Sequence, residues 1–158
     1  MMRRMFLGAV AAIVLTAAAG AQQLPLPYGS PVTLAQAKKI VAAAEQSAQS
    51  RNFTMAFAVV EPSGELVLFH KMDGTQYGSD LVAREKARTA ARFKRSTKAF
   101  FDSIAGGRNA VLSLPGVVAI EGGTPIVING QIVGAIGVSG GTSEQDGEVA
   151  AAALLGLK

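Results

Sequence analysis

The chain has 158 residues, of which 49% are hydrophobic, with 15 basic and 11 acidic side chains and no cysteine. That length suffices for one domain with its own core, and the missing thiols exclude disulfides, thiolate metal sites, a cysteine nucleophile and a lipid-modified cysteine. The formal charge of +4 falls to +2 without Arg3 and Arg4 of the leading segment, an excess too small to imply a nucleic-acid partner.

Residues 1–21 carry Arg3 and Arg4, an apolar run from Met5, and Ala19-Gly20-Ala21. This is the form of a secretory signal peptide cleaved after Ala21. The run falls short of the ~20 residues a membrane span needs. The mature protein is therefore expected in the periplasm or outside the cell, without a span. Arg3-Arg4-Met5-Phe6-Leu7 also resembles a twin-arginine export signal, though no polar residue precedes the arginines. Residues 22–32 follow as an arm, with three prolines and a glycine in QQLPLPYGSP. The rest, 33–158, reads as a single domain.

Thr33 opens the first helix, and Gln36 completes a capping box. Leu34, Ala37, Val41, Ala44 and Ala48 form its apolar stripe. Met55–Glu61 is a strand, Pro62-Ser63-Gly64 a turn, and Glu65–Met72 its hairpin partner. Alternation puts Leu66, Leu68, His70 and Met72 on one face and Val67, Phe69 and Lys71 on the other. His70 is the only histidine. A lone histidine on an apolar face is either a core residue or a ligand. Structural zinc wants four protein ligands, whereas haem iron needs only one or two.

Asp73–Gly78 is a loop, and Ser79 is expected to cap a helix running to about Arg95. Ala83, Ala87, Ala90 and Ala91 give it a face of small residues that can lie close on a sheet. Arg84, Arg88, Arg92 and Arg95 form a basic ridge. Such a ridge is either a solvated face paired with acids or a clamp for carboxylates, which arginine binds bidentately. Thr97–Ile104 forms a short helix with Phe100 and Phe101 as anchors, and Val117–Ile120 is a further short strand.

Gly122–Asp146 reads as strand, tight turn, strand, glycine turn and helix start. Asn129-Gly130 between apolar runs signals a two-residue hairpin loop. The loop pairs Ile128 with Gln131 and Ile126 with Val133. Ile126, Ile128, Val133 and Ala135 then share one face, and Val127, Ile132, Ile136 and Val138 the other. Both faces being apolar, both should be covered. Gly134 and Gly137 inside the strand suggest a close approach to its backbone. Thr142 with Gln145, or Ser143 with Asp146, fits a helix N-cap. The glycine turn before it offers N–H groups that can hold an anion.

The stretch GGTPIVINGQIVGAIGVSGGTSEQD resembles the signature of the haem-binding GlcG/HbpS family, also called the haem-degrading domain family. Lys71-Met72-Asp73-Gly74 and Lys86-Ala87-Arg88-Thr89-Ala90 resemble it as well, in the usual order. The likeness runs from about Thr33 to about Leu155. It implies an α/β (α+β) fold, an antiparallel sheet of about five strands flanked by helices, profilin-like. It also implies oligomers and haem binding, with a corrinoid as the alternative ligand. The positions it carries over are Met72, Asp73, Gly74, Lys86, Arg88, Thr89, Gly122, Gly123, Gly140, Gly141, Thr142, Gln145 and Asp146. To these the residues themselves add His70 as the best candidate for an axial metal ligand, with Thr142, Tyr77 or Met72 as the alternatives, and Arg84, with Arg88, as partners for carboxylates. No hydrolase motif or phosphate loop is present. The expectation is an exported haem-binding or haem-handling homo-oligomer that takes a tetrapyrrole or small anionic ligand in a pocket of strand ends and glycine turns. Two other classes stand beside it: an enzyme using Asp73 or Asp146 as base on a small carboxylated molecule, and a non-catalytic accessory subunit.

Overall fold

The computed structural model describes residues 25–155 and residue 157, so the expected signal peptide lies outside the described residues. The elements are α1 (Leu34–Gln49), β1 (Ala56–Val60), β2 (Leu66–Lys71), α2 (Gly78–Phe93), α3 (Thr97–Ala105), a 3-10 turn at Asn109–Ser113, β3 (Gly123–Ile128), β4 (Gln131–Ser139) and α4 (Ser143–Leu154). Among the described residues four strands, against the about five expected, form one antiparallel sheet in the order β2-β1-β4-β3. Residues 117–120 are not a strand; Val118 instead gives its N–H to the Thr89 hydroxyl. Thr33 and Thr142 both form complete capping boxes, with Gln36 and Gln145. For α2 the helix starts at Gly78 after Tyr77, so the Ser79 cap is not formed.

Helices cover both faces of the sheet. On one, Phe57, Val59, Ile136 and Val138 pack with Ile40 and Val41 of α1 and Val149 of α4. Burying each such side chain stabilises the fold by about 1.5–3 kcal/mol. On the other face, Ala56, Ala58, Val60 and Ala135 meet Ala83, Ala87, Ala90 and Ala91 of α2. The close approach foreseen at Gly137 is α2 itself. A Cβ there would fall on the Ala83 carbonyl and 2.6 Å from the Ala87 nitrogen.

Two bulges shift the expected faces. Asn129 and Gly130 do turn the β3–β4 hairpin, with φ of 51° and 72° as a type I′ turn requires. But Val127 pairs with Ile132 and Ile126 with Gly134, leaving Val133 without a β3 partner. The extra residue flips the alternation. Val133 therefore joins Ile136 and Val138 in one core, and Ala135 faces the other way. In β2 the register shifts between Leu66 and Leu68, so Val67 packs in the core of Leu68 and Met72 rather than with Phe69. Phe100 is buried and stacks edge-on against Phe93, but Phe101 is exposed, because α3 buries only one side.

Candidate functional site

One end of the sheet gathers most of the chemistry. There β2 ends, β1 begins, β4 ends and β3 begins, with Ala56 paired to both Lys71 and Ser139. The starts of α2 and α4 lie at the same end. The Ser139 hydroxyl donates to that of Ser79 at 3.2 Å, and the Gln76 amide donates to Ser79 at 3.1 Å. Gly140 packs on the backbone of Thr54 and Met55, and Met72 donates its N–H to the Met55 carbonyl. The 140–142 turn thus follows the strand that Ser79 joins to the 72–77 loop, whereas the 122–123 turn lies at the same end on the opposite edge of the sheet.

His70 stands one residue from the end of β2. Its ring stacks on Phe57, its cross-strand partner, at 6.1 Å and 17°. Nε2 is buried and lies 3.4 Å from Glu45 Oε2 of α1, too poorly aligned for a hydrogen bond. The side chain is 42% exposed. It borders a cleft of about 330 Å³ lined by Glu45, Gln49, His70, Lys71, Met72 and Asp73. A second cleft, of about 430 Å³, continues from Lys71 to Tyr77. The Lys71 ammonium sits over the Tyr77 ring at 5.1 Å. Thr75 is buried in this loop, and its hydroxyl has no partner among the described residues. A buried polar atom left unpaired costs about 1–3 kcal/mol.

Lys86, Gly122, Gly123 and Asp146 form a separate, buried cluster. Lys86, 1% exposed, places Nζ 2.6 Å from Asp146 Oδ2 and 3.1 Å from the Val138 carbonyl. The Gly141 N–H donates to Asp146 Oδ1 at 3.0 Å. Burial pushes the Asp146 carboxyl up, against the pull of Lys86 and of the Gly141 and Gly140 N–H groups. Gly122, with φ of 126°, sits so close that a Cβ would lie 2.9 Å from Lys86 Nζ. Gly123 lies against the Lys86 backbone and donates to the Thr97 hydroxyl. This ion pair ties α2 to β4 and α4. It also changes the reading of the glycine turn as an anion cradle. The Gly141 N–H is taken by Asp146 and the Thr142 N–H by Gln145.

The arginine ridge points elsewhere. Arg84 pairs with Asp80 at 2.9 Å and lies over Phe69, on the sheet face opposite His70. Arg88 binds Glu85 and the Gly64 carbonyl, and Arg92 binds the Ser63 carbonyl. Both grip the β1–β2 turn at the far end of the sheet. The fold therefore brings His70, Met72, Asp73 and Gly74 together, and does not bring Arg84 or Arg88 to them. Glu45, Gln49 and Thr75 were not expected at the site, and Lys71 entered only as the first residue of the family-like string. Glu45 with Gln49, at helical spacing, was the only local signal, and nothing local joins α1 to β2.

A model of the family described as "Haem degrading protein HbpS-like" matches residues 32–155. Protein GlcG of Escherichia coli K12 is 41% identical over 103 residues, 65% of this chain and 77% of GlcG. The crystal structure of a double mutant of Streptomyces reticuli HbpS superposes with a TM-score of 0.75 at 28% identity, covering 96% of this chain and 99% of that one. The crystal structure of a PduOC:heme complex superposes with a TM-score of 0.71 at 26% identity, covering 78% of this chain and 93% of that one.

Proposed function

This chain belongs to the HbpS-like haem degrading family, and we propose that it is a haem-binding, haem-handling protein that works after export. The observation that carries the reading is the His70 imidazole. It is the only histidine, it is fixed on Phe57, and it opens on a cleft. The similarity to a protein crystallised with haem supports the same ligand.

Three residues of the cleft carry donors or charge that suit the group, His70, Met72 and Lys71, while Glu45 and Asp73 add two carboxylates to its lining. His70 would hold the iron through a ring nitrogen, since one or two protein ligands suffice for haem. Met72 shares the cleft with it and adds a soft thioether. Lys71 is the cation that lines both clefts, and it takes the part of carboxylate partner first expected of Arg84 and Arg88. Bound haem would supply an iron centre with open coordination chemistry; the chain's own part is to bind it, orient it and limit water around it. Asp146 offers no base to a substrate, because it is 3% exposed and already bound through both oxygens. Residues 1–21 support export to the periplasm or beyond.

Haemin titration tests the proposal. A saturable, shifted Soret band at equimolar haem is expected, and its absence would refute haem as the ligand. His70→Ala in folded protein should change the iron spectrum and weaken binding. An unchanged spectrum and affinity would move the axial ligand to another residue.

A further inference from the structure

We propose that the free edge of β2 is the surface through which two copies of this chain join, strand against antiparallel strand, into one continuous sheet. The sheet ends at β2 on one side and at β3 on the other. An exposed edge offers unpaired N–H and C=O groups to another strand. The β3 edge is closed to such pairing. The Gly122 carbonyl accepts from Val138 of β4, so by alternation the backbone of Gly123 and Pro125 faces outward. The Gly123 N–H is taken by the Thr97 hydroxyl, and Pro125 has none to give. The β2 edge has no such block. The Met72 N–H bonds to Met55 beside β1, so His70 looks toward β1 as well, while Phe69 and Lys71 turn their N–H and C=O groups outward. Among the described residues nothing lies beyond β2 to take those groups.

The flank of that edge suits a second strand. Lys71 touches Tyr77, Arg84 covers Phe69, and Arg88 reaches the Gly64 carbonyl. One face of α2 therefore runs along β2, and between Tyr77 and Arg84 it carries Leu81, which is well exposed. Leu66 of β2 is exposed as well. The occupant is a second copy, because β2 is complementary to itself in the antiparallel sense. Glu65 precedes the strand and Lys71 ends it. Both lie on the α2 side, Glu65 at 3.7 Å from Arg92 and Lys71 over Tyr77. A two-fold axis near Leu68 and Phe69 brings the Lys71 of each copy toward the Glu65 of the other, so opposite charges meet at both ends. The same axis sets Tyr77 and Leu81 of both copies on one face of the joined sheet.

The test needs no added ligand, so it stands apart from the haem reading. Amide hydrogen exchange should find the Phe69 and Lys71 N–H groups slow in the assembled protein and fast once dilution separates the copies. In sedimentation, Lys71→Glu and Glu65→Lys should each weaken association roughly tenfold, since a two-fold pair meets the like-charge clash twice. An equimolar mixture of the two variants should associate as the wild type does, because every charged end then meets its opposite. Fast exchange at Phe69 and Lys71 in an assembled protein would put the contact on another surface and overturn the proposal. A wild-type monomer would overturn it too, as would protection of these amides in that monomer by another part of the chain. Single variants that associate normally, or a mixture that stays apart, would count against it equally.

Discussion

Lys86 shows how a residue type misleads about its role. A lysine in a basic stretch reads as solvated or as an anion partner, yet this one is buried to 1% and spent on Asp146 and the Val138 carbonyl. Burying two charges costs much of what their attraction returns. The pair therefore specifies how α2, β4 and α4 meet more than it adds net stability. Lys86→Met should lower unfolding free energy by about 3–5 kcal/mol, because it strands a buried carboxylate. Lys86→Met combined with Asp146→Leu should recover most of that loss. Denaturant unfolding of the two variants checks both, and equal stability of single and double variants would contradict this account.

At the scale of elements, α2 has two different sides. Its alanines lie on β1 and β4, and its arginines reach past the sheet edge to the β1–β2 turn. The arm is held at the same end. Tyr28 bridges to Ile132 and donates its hydroxyl to the Ala91 and Arg92 carbonyls, so the described part of the arm is docked on the domain. Because Arg88 binds Gly64 and Glu85 rather than the His70 cleft, Arg88→Ala should cost about 1–2 kcal/mol of stability and leave haemin affinity unchanged. A stability curve and a haemin titration on the same preparation decide it, and a large loss of affinity would return Arg88 to the ligand.

For the whole molecule, helices cover both sheet faces, yet large apolar side chains remain outside. Tyr77 is 90% exposed, and Leu81, Leu112 and Leu155 are also well exposed. Tyr77 and Leu81, four residues apart at the start of α2, are a pair that a subunit contact would cover, and self-association in closed symmetry is the usual form of such contacts. We expect sedimentation at micromolar concentration to give an assembly larger than one chain, and a monomer would defeat the expectation. Among the described residues no helix is long and apolar enough to cross a membrane.

The sequence by itself determined the local structure. Two capping boxes, an Asn-Gly hairpin and the small-residue face of α2 were legible because each depends on residues within a turn or two. The family signature was legible too, as a string. Its physical meaning was not, because Lys86 and Asp146 are 60 positions apart and meet only when α2 crosses the sheet. The two bulges were equally hidden, since one extra residue in a strand reverses every face beyond it without any change in composition. Tertiary structure alone decided which face each group occupies. It placed His70 with Glu45 on the α1 side and Arg84 on the α2 side, and so separated the histidine from the cations the sequence had joined to it.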